Sequence, residues 1–415
     1  MDEIVVGIDV GTTKVCTLVG RLEEENSIRI LGVGIEPSEG IRRGVITDIV
    51  AASQVISRSI EKAEQTSGVE ITAALVSLAG AHVASINSRG VVAVSGETVE
   101  EYDIARALDS ARAIAIPHNR EIIHIIQRGF VVDGQDGIHM PIGMHGYRLE
   151  VEAHIITAST ATVDNLRKCV GATGVETLQF VLNPLASADV VLTETDRQMG
   201  VAICDIGGGT TDLALYVDGN VWHTMVLALG GNHITSDIAH GLHLPLAQAE
   251  QAKIEHGHAL RSEVGIEEQF SIRPFGEEKP VEISRKDLAL IIEARVEEIF
   301  NLALQEIKRS GYDGLLPAGM VLTGGTSMLP GIRQLASNVL GMPVRIAKPE
   351  NLIGLVDRLS SPAYSTSVGL LHWAADLQDD FLPTRSRNPI FPFGQGENTI
   401  NLEKIKEWLK RLLPY

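Results

Sequence analysis

The chain has 415 residues, 44% apolar and only 4% aromatic, with 35 Lys and Arg against 53 Asp and Glu for a formal net charge of −18. That apolar content can bury a large core spread over about two to four domain-sized units. The acidic balance and the scarcity of rings exclude a general nucleic-acid binder, which needs a basic face and stacking platforms.

Strands and helices alternate along the chain. A β-hairpin pattern fills roughly residues 3–36, with Glu23-Glu24-Glu25-Asn26 as its charged turn. Ile4-Val5-Val6-Gly7-Ile8 is preceded by neither a basic region nor a small-residue cleavage site, so no signal peptide is expected. A helix over about Asp48–Thr66 places Ile49, Ala52, Ile56, Ile60 and Ala63 at helical spacing, and residues 71–80 predict a buried strand. From about 84 to 158 the rhythm becomes strand, helix, strand, strand, an inserted α+β subdomain with strands at Arg89–Ser95, Glu121–Val132 and Tyr147–Ala158. Its helix is expected to open on a capping box at Thr98-Val99-Glu100-Glu101, and the loop 133–146 to form an exposed hairpin or arm.

The second half restarts with a strand at 199–205, and Ser284-Arg285-Lys286-Asp287 begins a long helix to about Ser310. The resulting division is a first lobe at 1–83 and 159–198, the insertion at 84–158, and a second lobe at 199–378 with an upper part at about 230–310. Residues 379–399, rich in Pro, Gly and Asn, are expected to form a flexible linker, and 400–415 a terminal amphipathic helix. Cys16, Cys169 and Cys204 lie far apart in apolar surroundings, the pattern of reduced, buried thiols. No run of 18 apolar residues predicts a membrane span.

Two related motifs lie about 200 residues apart. The first is Ile8-Asp9-Val10-Gly11-Thr12-Thr13-Lys14-Val15; the second is Cys204-Asp205-Ile206-Gly207-Gly208-Gly209-Thr210-Thr211-Asp212-Leu213. Each runs from an apolar strand through Asp, a glycine turn and paired hydroxyls into another strand. Glycines let backbone amides approach phosphate oxygens, Thr hydroxyls add donors, and Lys14 adds a point charge. Asp9 and Asp205 at the strand ends are placed to orient Mg²⁺ through water. Gly324, Gly325 and Thr326 follow an apolar strand and suit close approach of a nucleoside. Glu250 and Lys253 share one helix face, where they can meet a ribose or simply form a surface ion pair. Asn183–Ala188 and Ala363–Gly369 begin helices with small residues, which permit a close helix crossing. No Walker A motif occurs. The histidine pairs His240/His243 and His256/His258 lack a third ligand, so no metal beyond Mg²⁺ is expected.

This order of motifs resembles the actin/Hsp70/sugar-kinase superfamily over roughly residues 3–378. The resemblance implies an α/β, actin-like ATPase fold of two lobes with duplicated cores and Mg-ATP between them. The inserted subdomain and Gly40–Asp48 are similar to the FtsA family of bacterial cell-division proteins, in which the insertion is called 1C. That resemblance implies an ATP-dependent, self-associating polymer at the cytoplasmic face of the membrane, tethering FtsZ filaments at the division septum. It further implies FtsZ-tail binding on the upper second lobe, where Arg295 is a candidate contact, and other division partners through 1C. Gln179, by similarity to actins, is a candidate to position an attacking water, with at most slow turnover.

The terminal helix stands on its own physics. Leu402, Ile405, Trp408, Leu409, Leu412 and Leu413 form one stripe, while Lys404, Lys406, Lys410 and Arg411 lie mostly on the other side, as an anionic membrane surface requires. Two alternatives stay open from sequence: an adaptor like the type IV pilus protein PilM, or a small-molecule kinase of the same superfamily.

Overall fold

The computed structural model describes residues 4–379 apart from 24–26, 115, 278 and 313. The expected terminal helix, and the expected linker beyond Asp379, lie outside the described residues. So do the candidate membrane residues Leu402, Lys404, Ile405, Lys406, Trp408, Leu409, Lys410, Arg411, Leu412 and Leu413.

The chain opens with a three-stranded meander rather than a single hairpin: β1 (Ile4–Val10), β2 (Lys14–Leu22) and β3 (Ile28–Pro37). The small ribbon β4 (Ile41–Arg42) and β5 (Val45–Ile46) leads into α1 (Ile49–Ser67). Asp48 caps α1 by accepting from the Ala51 N–H at 3.0 Å, satisfying one of the helix's free donors. β6 (Ala73–Leu78) then joins β1 in parallel.

The insertion comprises β7 (Ala84–Ala93), α2 (Glu101–Arg112), β8 (Arg120–Val132), β9 (Gln135–Ile138) and β10 (Arg148–Ser159), with sheet order β7-β10-β8-β9. Its helix is capped differently from expectation. The buried Asp103 carboxylate accepts from the Glu100 N–H at 3.1 Å, while Thr98 bridges to His145 as an extended residue and so cannot cap. The chain returns through α3 (Thr160–Gly171), β11 (Glu176–Leu182), α4 (Asn183–Val191) and α5 (Glu194–Met199).

The second half repeats the first. It runs through β12 (Val201–Ile206), β13 (Thr211–Val217), β14 (Asn220–Leu227), α6 (Gly231–Gly241), α7 (Leu246–His256), β15 (Gln269–Ile272), β16 (Val281–Ser284) and α8 (Arg285–Ser310). It continues with β17 (Met320–Thr323), α9 (Ile332–Leu340), β18 (Val344–Ile346), β19 (Ile353–Gly354) and α10 (Ser365–Asp379). The first sheet reads β11-β6-β1-β2-β3 and the second β18-β17-β12-β13-β14, each an antiparallel meander continued by two parallel strands. Both sheets are therefore built on one plan.

The second lobe ends earlier than residue 378. β19 pairs in parallel with β3 of the first sheet, and α10 packs on β1, β2 and β6. Leu370, Leu371 and Trp373 bury against Val5, Leu18 and Leu75, which draws the segment back across the molecule. α10 also crosses α4 so closely that a Cβ at Gly369 would overlap the Ala186 carbonyl. The small residues in both segments thus let two backbones touch.

The insertion docks on the second lobe through polar groups. His154 Nε2 lies 3.0 Å from Thr224 Oγ1 and its Nδ1 lies 2.6 Å from Asn87 Oδ1, Ser85 donates to the Thr224 carbonyl at 2.9 Å, and Arg128 stacks 3.5 Å over Trp222. On the first-lobe side, His124 Nε2 accepts from the Leu182 N–H at 3.1 Å. Burial pushes both His124 and His154 down to about 3, with His223, Arg128 and His124 adding to the effect at His154. Each ring stays neutral when folded yet takes a proton near pH 6.5 when unfolded. Its contribution to stability is therefore complete above about 6.5 and lost as pH falls toward 3, at about 1.4 kcal/mol per pH unit per ring. Urea midpoints are expected to fall from pH 7.5 to 5.5, and the fall to be smaller in His154→Gln. An unchanged pH dependence in that variant would refute the assignment.

Candidate functional site

The two glycine turns meet at the bottom of a cleft of about 480 Å³ between the sheets. They close alike: the Gly11 N–H donates to the Lys14 carbonyl at 3.0 Å, and the Gly207 N–H to the Thr210 carbonyl at 2.9 Å. A Cβ on Gly208 would overlap the Thr13 methyl, and one on Gly209 would come within 2.5 Å of Thr12 Oγ1. Only glycine allows the turns this contact. The carbonyls of Gly207 and Gly208 are taken by the N–H groups of Gly231 and Asn232 at 2.9 and 2.7 Å, and Thr326 Oγ1 also donates to Gly207 at 3.0 Å. The amides of Thr12, Thr13, Gly208 and Gly209 donate to no protein acceptor among the described residues. Thr211, one residue beyond the turn, is buried and donates to the Leu229 carbonyl at 2.9 Å.

Asp9 and Asp205 end β1 and β12, and neighbouring residues of α10 hold both. Ser367 donates to Asp9 Oδ2 at 2.7 Å and Thr366 to Asp205 Oδ2 at 2.9 Å, while Ser77 donates to Asp9 Oδ1 at 3.0 Å. A helix N-terminus favours such negative charge. Burial nevertheless pushes Asp205 up to about 6, opposed by its bond from Thr366 and reinforced by Asp9. Asp212, buried and sharing the Thr210 hydroxyl, is pushed well above the carboxylate range, again by burial first. Its Oδ1 and the Oδ1 of Asn183 are buried without a protein partner. The Lys14 ammonium donates to the Ala363 carbonyl and sits 4.6 Å over the Tyr364 ring, on the α10 side of the cleft.

The cleft lining also includes the apolar Ile234, Ile254, Met328 and Leu329, with Gly324 and Gly325. A Cβ on Gly324 would overlap Asp205 Oδ1. Lys253 donates to Glu250 at 2.7 Å, to the Gly231 carbonyl at 3.1 Å and to Thr235 Oγ1 at 2.9 Å. The pair is thus fixed at the cleft wall rather than solvated on the surface.

Two expected residues stand elsewhere. Gln179 lies within β11 and does not line the cleft. Asn183, four residues on and about 13 Å along an extended strand, occupies the wall instead. Arg295 is not available as a free charge, since it makes a two-pronged bridge to Asp237 at 2.6 and 3.1 Å and also pairs with Glu298. Asn183, Asp212, Thr366 and Gly44 also line the cleft; all four lie inside the segments singled out from sequence but were not assigned to the site, although the hydroxyl run Ser365-Thr366-Ser367 was a signal for the third.

A carboxyl group whose pKa rises on folding destabilises the fold increasingly as pH climbs from about 4 to about 6, and fully above that. Asp205→Asn is therefore expected to stabilise the ligand-free protein at pH 7.5 by about 1–3 kcal/mol, seen as a higher thermal midpoint. A lower midpoint would contradict this electrostatic account.

A family model described as "Cell division protein FtsA" matches residues 202–369, and one described as "SHS2 domain inserted in FTSA" matches 80–157. "Cell division protein FtsA" of Pseudomonas aeruginosa is 39% identical over 408 residues, covering 98% of each chain. The protein of that name from Escherichia coli K12 is 36% identical over 381 residues, 90% of this chain and 91% of its own. Among solved structures, a PilM-PilN type IV pilus biogenesis complex aligns at TM-score 0.62 and 15% identity, over 89% of this chain and 98% of that one. MreB5 of Spiroplasma citri bound to ADP aligns at 0.56 and 15%, over 92% and 99%. A MamK double helical filament aligns at 0.52 and 14%, over 89% and 98%. The structural likenesses establish an actin-like fold, and the sequence relatives show that the chain belongs to the FtsA family of cell-division proteins.

Proposed function

We propose that this chain binds Mg-ATP between its lobes, polymerises in that state, and tethers FtsZ filaments to the cytoplasmic membrane at the division septum. The observation that carries the reading is the contact of two glycine turns, one from each sheet, with uncommitted amides around one cleft. Gly11, Thr12 and Thr13 with Gly207–Thr210 would cradle the phosphates, while Lys14 supplies a nearby positive charge. Glu250 and Lys253 would meet the ribose, and the base would lie against Gly324, Gly325, Thr326, Ile254 and Met328.

The donor set also fits a divalent cation. Asp9 and Asp205 are buried carboxylates held by hydroxyls, and a hydrated Mg²⁺ would add positive charge beside them. When bound, such an ion neutralises phosphate charge and so favours a closed cleft. Asn183 and Gln179 both carry a buried oxygen without a protein partner, but only Asn183 lines the cleft, which makes it the better candidate to orient a water, and slow turnover is expected.

Family membership supports the division role. Among neighbours of the same fold, the ADP-bound MreB5 and the MamK filament support nucleotide binding and self-association. We assign the membrane contact to residues 400–415 and place FtsZ-tail binding on the upper second lobe. There an acidic peptide would have to displace Asp237 before it could use Arg295. The insertion offers a surface for other division proteins.

The test is co-sedimentation of FtsZ filaments with anionic liposomes. The full chain with Mg-ATP is expected to carry FtsZ into the pellet. A version ending at Asn398 should fail, and Gly208→Val, which wedges the turns apart, should lose the ATP effect. Equal pelleting by the truncated chain, or no liposome binding by the full one, would overturn the tether.

A further inference from the structure

The second glycine turn is braced through its carbonyls. That of Gly207 accepts from the Gly231 N–H at 2.9 Å and from Thr326 Oγ1 at 3.0 Å, and that of Gly208 accepts from the Asn232 N–H at 2.7 Å. A trans peptide is planar, and its carbonyl and the following N–H point to opposite sides. Three bonds on two carbonyls therefore fix where the N–H groups of Gly208 and Gly209 point, away from their braces. The first turn has no such support. Among the described residues the carbonyls of Gly11 and Thr12, which precede the amides of Thr12 and Thr13, accept no hydrogen bond.

Two of the braces are backbone amides, and the third is a side chain. Thr326 lines the cleft within the short turn Gly325–Met328, and its single hydroxyl hydrogen is spent on Gly207. The neighbouring Ser327 closes its own turn by donating to the Gly324 carbonyl at 2.7 Å, whereas Thr326 reaches a residue 119 positions away. That reach depends on the glycine opposite, because a Cβ on Gly231 would come within 2.5 Å of Thr326 Oγ1. Gly231 is itself held from behind, where its carbonyl accepts from Thr235 Oγ1 at 3.0 Å and from Lys253 Nζ at 3.1 Å. Thr326 thus stands in a motif suited to a nucleoside but acts, through its hydroxyl, on the turn with the free amides.

We propose that Thr326 is a positioning residue whose hydroxyl aims the Gly208 amide at the phosphate tail of the nucleotide and makes no hydrogen bond to the nucleoside. This rests on the reading that the cleft binds a nucleotide. An amide holds an oxygen well only when aligned with it, and the bond weakens steeply below about 120°. Without the Thr326 bond the peptide between Gly207 and Gly208 is freer to rotate, and rotation turns a carbonyl oxygen toward the phosphates in place of an N–H. The loss therefore grows with the phosphates a ligand carries and vanishes for one that carries none.

The test compares the affinity of the full chain for Mg-ADP, by calorimetry, with that for adenosine, by competition against a fluorescent ADP. Thr326→Val keeps the shape and removes the hydroxyl. It should weaken Mg-ADP roughly 10-fold, the size of one hydrogen bond to a charged group, and leave adenosine within about twofold. Thr326→Ser, which restores the hydroxyl, should bring Mg-ADP back to within about threefold of the wild type. Gly231→Ala leaves Thr326 in place but wedges its hydroxyl off the carbonyl, and should reproduce the Val variant. Equal weakening of adenosine and Mg-ADP, no change in either, no recovery with Ser, or wild-type affinities in Gly231→Ala would overturn the proposal. Failure of the wild type to bind either ligand would instead remove the reading of the cleft, and this inference with it.

Discussion

The first turn of α10 binds two buried carboxylates that belong to different sheets, and the rest of the molecule is arranged around that fact. Ser367 holds Asp9 at 2.7 Å and Thr366 holds Asp205 at 2.9 Å, while Ser365 Oγ lies 2.6 Å from Thr323 Oγ1 in the second sheet. One helix end therefore sets the distance between the lobes. It can do so only because Gly369, one turn later, lets α10 lie against the Ala186 backbone. Any side chain at that point would lift the helix and pull its hydroxyls from both carboxylates. Packing in the hinge and charge placement in the cleft are one constraint.

The cleft itself is poised against stability. Two turns with unspent amides, a carboxyl pushed up to about 6 and two orphaned oxygens are costly in a ligand-free protein. Such costs cluster where a charged ligand and its counter-ion will later satisfy them. The polar seam between the insertion and the second lobe has the same character on a smaller scale. Its neutral His154 and stacked Arg128 give an interface that is specific without being greasy. The insertion is thereby attached to both lobes, and any change in their spacing must be felt along β7, β8 and β10.

Much of this was legible in the sequence because the informative patterns are local. The Asp-Gly-Thr runs declare two turns whatever else happens, and the small residues near Ala186 and Gly369 announce a close crossing. Asp48 before an apolar helical stripe marks the start of α1. What failed were features decided by distant partners. The return of β19 and α10 to the first sheet depends on pairing with β3, over 300 residues away, and nothing local encodes it. Thr98 was a good cap by composition, but bridging to His145 claimed its backbone. Gln179 was misplaced for a geometric reason: the pairing of β11 with β6 slips between Thr177 and Gln179, which breaks the simple alternation of faces along the strand. Asn183 was therefore the residue delivered to the cleft. Arg295 looked like a free charge only because Asp237, 58 positions earlier, is invisible as its partner in one dimension.

The central claim is that turns from both lobes share one nucleotide, and hydrogen exchange of the full chain with increasing Mg-ATP tests it most directly. Protection should rise together, with one midpoint, in segments 9–14 and 205–212 and in the first turn of α10. Protection confined to one of the two turns, or appearing at two separate midpoints, would contradict a shared site.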